Sequence, residues 1–515
     1  VLKWLEWVPA VAASAFAMTE RPSFFVDDTD VPALREVLWR IARVGYSETA
    51  VRERLGLQDV ADLQWRGLPM YREERLVERD PLALAIELFL LQGTLPVDEL
   101  DRLLPASDRH VLIRSGLLAV DQTGRGRARA SLFPVGDRLI FSDHAWPELP
   151  HPGHIPVPRD QVMWVGLDSR HLARSTVRRP VRAALDLCTG SGIHALLAAA
   201  HSQQVLAIDI NPRAACCTRF NARALGAANI AVVVGDLFEP MRGQRFDLIT
   251  ANPPFVPSPV DALRYRDGGR SGEDILKRIV SGLPHHLAPG GVAHVVTELG
   301  ERDDEPLVDR VREWLAGASM DIYLLRLGEH TAAKYAIGHA KGDSYEEFLA
   351  SVQAWANNLR AQGFQRVASA LISFQWSDPV CGPPWERSEE SPPPQRAAGA
   401  EIEAVFLAER MTRQPDLRQI LMRGWLRRAG PVALLDARVL GSELRAKTKA
   451  TLLGQALTIE HRLEPIEREV LNRLDGRTAM PELLRVSRDL DAGEEGVLEA
   501  VRLLLGRRLV RIDFA

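Results

Sequence analysis

Four short stretches carry side chains whose types and spacing suit chemistry. In "DLCTGSG", Asp186 precedes Gly190 and Gly192, which flank Ser191 in a turn of little bulk leading into a helical pattern. Any nucleotide cofactor would suit such a turn. Asp209 in "AIDINP" stands 23 positions beyond Asp186, where a carboxylate can accept both hydroxyls of a ribose. Asp236 in "VVGDLF" follows a third apolar run, and Asn252 in "DLITANPPFVPSP" ends a fourth. The dinucleotide fingerprint is not matched, because Ala195 stands where its last glycine would fall and Cys188 precedes the turn. A segment that only had to turn would do better with Gly or Asp than with Asn252-Pro253-Pro254-Phe255. That order has no job in hydride transfer, and it asks for a chemical reason.

The elements that must position these residues alternate. "RAALDLCTG", "QVLAIDI", "IAVVVGD", "FDLITANPP" and "GGVAHVVTEL" read as strands, with helices at "SGIHALLAAAHS", "PRAACCTRFNARALG" and "GEDILKRIVSGLPHHL". "MDIYLLRLG" and "RVASALISFQW" add two strands around the helical "SYEEFLASVQAWANNLRAQG". This is the pattern of an α/β, doubly wound and mainly parallel sheet, whose ligands sit at the carboxyl ends of the strands. All four stretches fall at such ends.

Asp186 to Gly192, Asp209, Asp236 and Asn252-Pro253-Pro254-Phe255, in that order, resemble a class I methyltransferase that uses S-adenosylmethionine. More narrowly, "NPPFVP" followed by "DGGRSGEDILKRIVSGLPHHLAPGG" is similar to the release-factor glutamine N5-methyltransferases and their relatives that methylate exocyclic amines of nucleobases. The resemblance covers residues 158–376 and neither flank. It implies a Rossmann-like sheet and a cofactor site built from Asp186, Cys188, Thr189, Gly190, Gly192, Asp209, Ile210, Asp236, Leu237 and Asn252. Asp186 would hold the ammonium of the methionine part, the two glycines would let the backbone approach, Asp209 would bind the ribose, and Asp236 would face the adenine amine. It departs from the family at Cys188, where glycine is usual, and at Phe255, where glutamine methylators usually carry tyrosine.

A chemical reason for the Asn-Pro-Pro-Phe order then follows. An amide or aromatic amine nitrogen is a poor nucleophile because its lone pair is delocalised. The Asn252 side-chain oxygen and the Pro253 carbonyl would each accept one N–H, aiming the nitrogen and stabilising positive charge as it develops. Prolines make that carbonyl rigid, and Phe255 offers a flat surface for a planar group. No general base is needed before transfer, so His194, His285, His286 and His294 read as surface or packed residues. Trp164 to Ser169, in "VMWVGLDS", lines the cofactor pocket or forms an apolar entry strand.

The flanks are read more coarsely. Residues 1–150 form a helical domain in which "PALREVLWRIARVG", "DPLALAIELFLLQG" and "PVDELDRLL" precede two strands, "RARASLFPV" and "DRLIFSD", joined at Gly136. Three helices and a hairpin is winged-helix order, although a packing domain is the favoured reading. "AWPELPHPGHIPVPRD" at 145–160 reads as an extended connection to a methyltransferase domain at 151–377. The Pro-rich 377–399 stretch is a linker or exposed loop, and 378–515 reads mostly as helix, with a weak winged-helix likeness around Asp475-Gly476.

Bulk properties exclude little. The 515 residues carry a formal net charge of −4, which offers no overall basic excess for nucleic acid. Four cysteines without metal spacing point to a reducing cytoplasm and to no metal. The first 22 residues look faintly like a signal peptide, but an overextended start with Met18 as initiator is the favoured reading. Later runs fall short of the ~18–20 apolar residues of a membrane span. The expected acceptor is a protein or peptide, and the alternatives are a nucleic-acid base, a small metabolite, or a cofactor-binding DNA regulator without turnover. The regulator predicts a basic helix face, for which "RGRARA" at 125–130 is the compact candidate.

Overall fold

A computed structural model of the chain describes residues 24–144, 159–241, 243–260, 263–342, 344–437, 447–474, 476–485 and 493–514. The leader-like stretch with Met18, most of the 145–160 connection and Asp475 lie outside the described residues.

The centre is an eight-stranded sheet of β1 (Val181–Leu187), β2 (Ser202–Asp209), β3 (Ile230–Val234), β4 (Phe246–Ala251), β5 (Leu287–Glu301), β6 (Met320–Thr331), β7 (Arg366–Trp376) and β8 (Glu386–Glu390). Their order is β8-β6-β7-β5-β4-β1-β2-β3. From β5 to β3 all pairings are parallel, whereas β7 runs antiparallel to both β5 and β6. The inner strands read as unbroken apolar runs because both faces are covered: Leu185, Ile208 and Ile249 are each at most 1% exposed. Strand order reverses between β1 and β4, which puts the ligand crevice beyond their carboxyl ends.

Seven helices accompany the sheet: α1 (Leu167–Ser175), α2 (Ile193–Ala199), α3 (Pro212–Ala224), α4 (Asp274–His286), α5 (Leu307–Trp314), α6 (Ala332–His339) and α7 (Tyr345–Ala361). The start of α3 is fixed by Asn211, whose side chain accepts from the Arg213 N–H, and by Pro212 in the first turn. α7 opens on a Ser344/Glu347 capping box. Because β6 runs parallel to β4, the α6–α7 pair inserted after it stands at the same edge as Asn252. Tyr335, Trp355 and Leu359 of this pair are buried with Val256 beside the Asn-Pro-Pro-Phe segment. The sequence reading contained α7 but not α6.

The flanks differ from expectation in three places. "RARASLFPV" is not one strand: Gly126–Ala128 joins a three-stranded sheet with Thr94–Leu95 and Leu118–Val120, while Ser131–Val135 pairs separately with Arg138–Ser142. That hairpin is no free wing, since Leu132, Ile140 and Phe141 are fully buried and Phe141 meets Phe220 of α3 edge-on at 5.7 Å. "RGRARA" accordingly lies on a strand, not on a helix face. The expected linker at 377–399 carries β8, parallel to β6, with Trp385 buried beneath it; a boundary at 377 would cut off this edge strand. Alternating residues of "ERSEE" point in and out, so an edge strand of mainly charged residues hides from a search for apolar runs. The region after 399 is not mostly helical. It includes two three-stranded antiparallel sheets, Trp425–Arg428 with Thr478–Ala479 and Val510–Asp513, and Val432–Ala437 with Lys447–Leu452 and Glu460–Leu463. No described helix is long and apolar enough to cross a membrane.

Candidate functional site

One cleft at the carboxyl edge is lined by Cys188, Gly190, Asp209, Asp236, Asn252 and Pro254, with Thr189, Ile210 and Leu237 beside them. Gly192, Asp186, Pro253 and Phe255 are not part of its lining.

The turn after β1 is strained toward the cleft. Cys188, Gly190 and Gly192 all take left-handed backbone angles, with φ of 55°, 57° and 85°. Glycine tolerates this at no steric cost, whereas Cys188 pays ~1–2 kcal/mol. At Gly192 a Cβ would lie 2.8 Å from Thr218 Cγ2, so glycine lets the turn pack on α3. At Gly190 a Cβ would meet only one atom within reach, the Cys188 carbonyl at 4.0 Å, which leaves open room on the cleft side.

Asp186 faces the interior of the fold. It is 1% exposed, and both its oxygens are engaged within the fold. Thr189 and Thr250 donate hydroxyls at 2.6 and 2.9 Å, and the Ala195 N–H donates at 3.1 Å. Burial pushes its pKa up to about 7. Asp186 therefore ties β1, β4 and the start of α2 together from behind the turn, while the cleft lining does not include it.

Asp209, at the end of β2, accepts the Gly190 N–H and the Asn211 N–H, each at 2.9 Å. These bonds aim the carboxylate across the glycine turn while it still borders the cleft. Its pKa is raised because it is buried, with the two N–H donors acting against that. Ile210 next to it is 53% exposed and covers one side of the opening. Asp236 pairs with Arg278 of α4 at 2.8 Å through one oxygen. The adjoining Leu237 has φ 48°.

At the end of β4, Asn252 donates Nδ2 to Asp168 Oδ2 at 2.9 Å and to Ser169 Oγ at 3.1 Å, both on α1. The Asp168 carboxylate on that side suits the amide nitrogen, and Asn252 borders the cleft. Pro253 and Pro254 follow, and the loop after them folds back. A Cβ at Gly268 would be 2.7 Å from the Pro254 carbonyl oxygen, and one at Gly272 would be 2.3 Å from that of Phe255. Asn358 of α7 donates to the Pro257 and Arg270 carbonyls at 3.2 and 2.9 Å, closing the loop. Phe255 is only half-buried and packs on the Tyr335–Trp355 cluster of the α6–α7 pair. Arg264 and Tyr265 of the same loop reach back to the cleft, where Tyr265 meets Trp164 edge-on at 6.0 Å.

Sequence reasoning gave no specific role to three residues: Asp168 entered only as part of the Trp164–Ser169 stretch, His194 was read as a surface or packed residue, and Glu298 was not singled out. Asp168 gave no motif signal, because its partner is 84 positions away. Glu298 of β5 receives the Tyr335 hydroxyl at 2.5 Å, and burial raises its pKa to about 7, with the nearby Asp168 charge adding to the rise. His194 is 4% exposed, lines the cleft, and its Nε2 has no partner among the described residues. Burial lowers its pKa to about 3, so it is neutral and no proton carrier. Its orphaned nitrogen, the open side of Gly190 and the Asp209 carboxylate together fit a polar ligand with hydroxyl groups, as S-adenosylmethionine is. No group of three or more His, Cys, Asp or Glu suited to a metal occurs among the described residues.

Comparison with known proteins meets this geometry. The family model described as "Methyltransferase small domain" matches residues 166–312, from the start of α1 through α4 and β5 to α5. The ribosomal protein uL3 glutamine methyltransferase of Bordetella pertussis is 32% identical over 46% of this chain and 78% of its own length. The chain belongs to the protein glutamine methyltransferase family of class I, S-adenosylmethionine-dependent methyltransferases. The release factor glutamine methyltransferase of Geobacter sulfurreducens is 34% identical over 26% of this chain and 53% of its own. The ribosomal protein uL3 enzyme of Bradyrhizobium diazoefficiens is 35% identical over 26% and 47%. The chain thus spans about half the length of these last two relatives. A second model, described as a domain of unknown function (DUF7059), matches residues 43–130.

Proposed function

We propose that this methyltransferase transfers a methyl group to a planar amide nitrogen of a protein, a glutamine side chain being the favoured acceptor. The observation that supports this reading is the Asn252 amide, held through Nδ2 so that Oδ1 is available. Bound in the cleft, S-adenosylmethionine supplies a methyl carbon activated by a positive sulfur. Asp209 is placed to receive ribose hydroxyls, and the His194 Nε2 is a free polar partner beside the turn. Asn252 Oδ1 and the Pro253 carbonyl each accept one N–H of the acceptor amide, drawing its lone pair out of conjugation and toward the methyl carbon. As positive charge grows on nitrogen the same two acceptors stabilise it, and the proton leaves to solvent afterwards. The protein acceptor is favoured by what the relatives named above act on; a nucleobase amine would present the same two N–H groups. The expected location is the cytoplasm.

The test separates two roles. Asn252→Ala should lower turnover by about 100-fold or more while S-adenosylmethionine affinity changes little. Asp209→Ala should weaken cofactor binding by about tenfold or more, the worth of a charge-assisted hydrogen bond. Calorimetric cofactor binding and methyl transfer on the same preparations measure both. Wild-type turnover in Asn252→Ala would remove the acceptor-orienting role.

A further inference from the structure

Helix α1 touches two very different things. Its first turn holds the catalytic amide: Asp168 and Ser169 receive the two N–H groups of Asn252 Nδ2. Its next residues face the N-terminal domain. Arg170, 2% exposed, pairs with Asp59 at 3.0 Å and with Glu48 at 2.8 Å. Arg174 joins the same two carboxylates at 2.5 and 3.1 Å. Arg170 also donates to the Pro134 carbonyl of the buried hairpin at 2.9 Å. Four charged groups and a backbone oxygen thus lock α1 in rotation and along its axis, one turn from the residues that grip Asn252.

An asparagine amide that is free to flip presents NH2 to the acceptor as readily as oxygen, and NH2 repels the N–H groups it should receive. Something must fix its sense. The Asp168 carboxylate does so because it accepts and never donates when ionised; burial raises its pKa, and the Asn252 Nδ2 donor together with the backbone N–H groups of Ser169 and Asp168 act against that rise. Gly166 is required beside it, since a Cβ there would lie 2.8 Å from Asp168 Oδ1.

We propose that Asp168, assisted by Ser169, is a positioning residue that fixes the Asn252 amide with its oxygen toward the acceptor, and that the N-terminal domain sets this grip through Arg170 and Arg174. The inference rests on the acceptor-orienting reading of Asn252 given above. It gives the N-terminal domain a catalytic consequence although none of its residues 24–144 lines the cleft. Asp168 acts through Asn252 and touches no reacting atom.

The experiment uses the full chain with asparagine side chains labelled with nitrogen-15, the Asn252 signal being identified by its loss in Asn252→Ala. In the wild type the Asn252 NH2 protons should exchange slowly with water. In Asp168→Ala they should exchange about tenfold faster or more, and in Asp168→Asn, whose amide can offer either its oxygen or its NH2, exchange should fall between the two. Transfer of labelled methyl from S-adenosylmethionine to a cell extract is measured alongside, with calorimetric cofactor binding. Turnover in Asp168→Ala should fall about tenfold or more at nearly unchanged cofactor affinity and be partly rescued in Asp168→Asn. Unchanged NH2 exchange in Asp168→Ala, or wild-type turnover, would overturn the proposal; so would a parallel loss of cofactor binding, which marks a merely structural role. If the wild type itself labels nothing in the extract, the proposed function fails while the exchange rates still decide whether Asp168 holds Asn252.

Discussion

Asn252 and Asp186 show opposite outcomes for two residues picked by the same motif logic. Asn252 lies at the cleft with its amide sense fixed, whereas Asp186 turned inward to brace Thr189, Thr250 and Ala195. Both positions were legible in the sequence, because both follow apolar runs; their directions were not, because direction depends on partners far along the chain. Asp168 lay within the Trp164–Ser169 stretch, but its bond to Asn252 was out of sight for that reason. Glu298 offers a test at this scale. Its carboxyl binds a proton more readily in the folded chain, near pH 7, than at the ordinary value of 4.5. The stability of the protonated form is therefore complete below about pH 4.5 and is lost as pH rises through about 7. Glu298→Gln keeps an acceptor for Tyr335 and removes the titration. Relative to wild type it should gain about 2.5 kcal/mol between pH 5 and pH 8 in urea unfolding. A constant difference across that range would show that Glu298 does not titrate as described.

At the scale of elements, the parallel strands and the helices between them were readable because unbroken apolar runs and helical spacing are strong local signals. The charged edge strand β8 and the short strands of the C-terminal region were not, because they gain stability from pairing rather than from their own pattern. The loop after Asn252 was quoted as a family feature; its mechanical role emerged only from geometry. Gly272 has φ 79° and sits against the Phe255 carbonyl. Gly272→Ala should cost at least ~1 kcal/mol for the left-handed backbone alone and should push the Phe255–Val256 peptide, next to the Pro-Pro pair, out of place. Turnover should fall well beyond any loss of cofactor affinity, read from kcat and from calorimetry; retention of wild-type kcat would mean that the loop does not set the Pro-Pro geometry.

The whole molecule is more continuous than a three-part division suggests. One apolar core runs from Leu34 and Phe89 of the N-terminal helices through Phe141 to Phe220 on α3. Asn221, fully buried, links that hairpin to the glycine turn, donating to the Phe141 and Ser191 carbonyls at 2.8 Å each. A sequence shows composition shifts between segments, not the faces they share, so this union was out of reach. Replacing Arg170 by methionine would leave Asp59 and Glu48 short of a partner in a buried site. It should destabilise the chain by about 3–5 kcal/mol, seen as a lower thermal midpoint shared by both halves. Two separated transitions would show instead that the N-terminal domain folds apart from the sheet.

The central claim is that the cleft methylates a protein amide, and labelled methyl transfer tests it most directly. Purified full-length chain and labelled S-adenosylmethionine are incubated with a cell extract, the products are divided between protease and nuclease, and labelled peptides are sequenced by mass spectrometry. Label released by protease alone, carried on a glutamine side chain and absent with Asn252→Ala, is the predicted result. Label released by nuclease alone, or label that Asn252→Ala still transfers at the wild-type rate, would contradict the account.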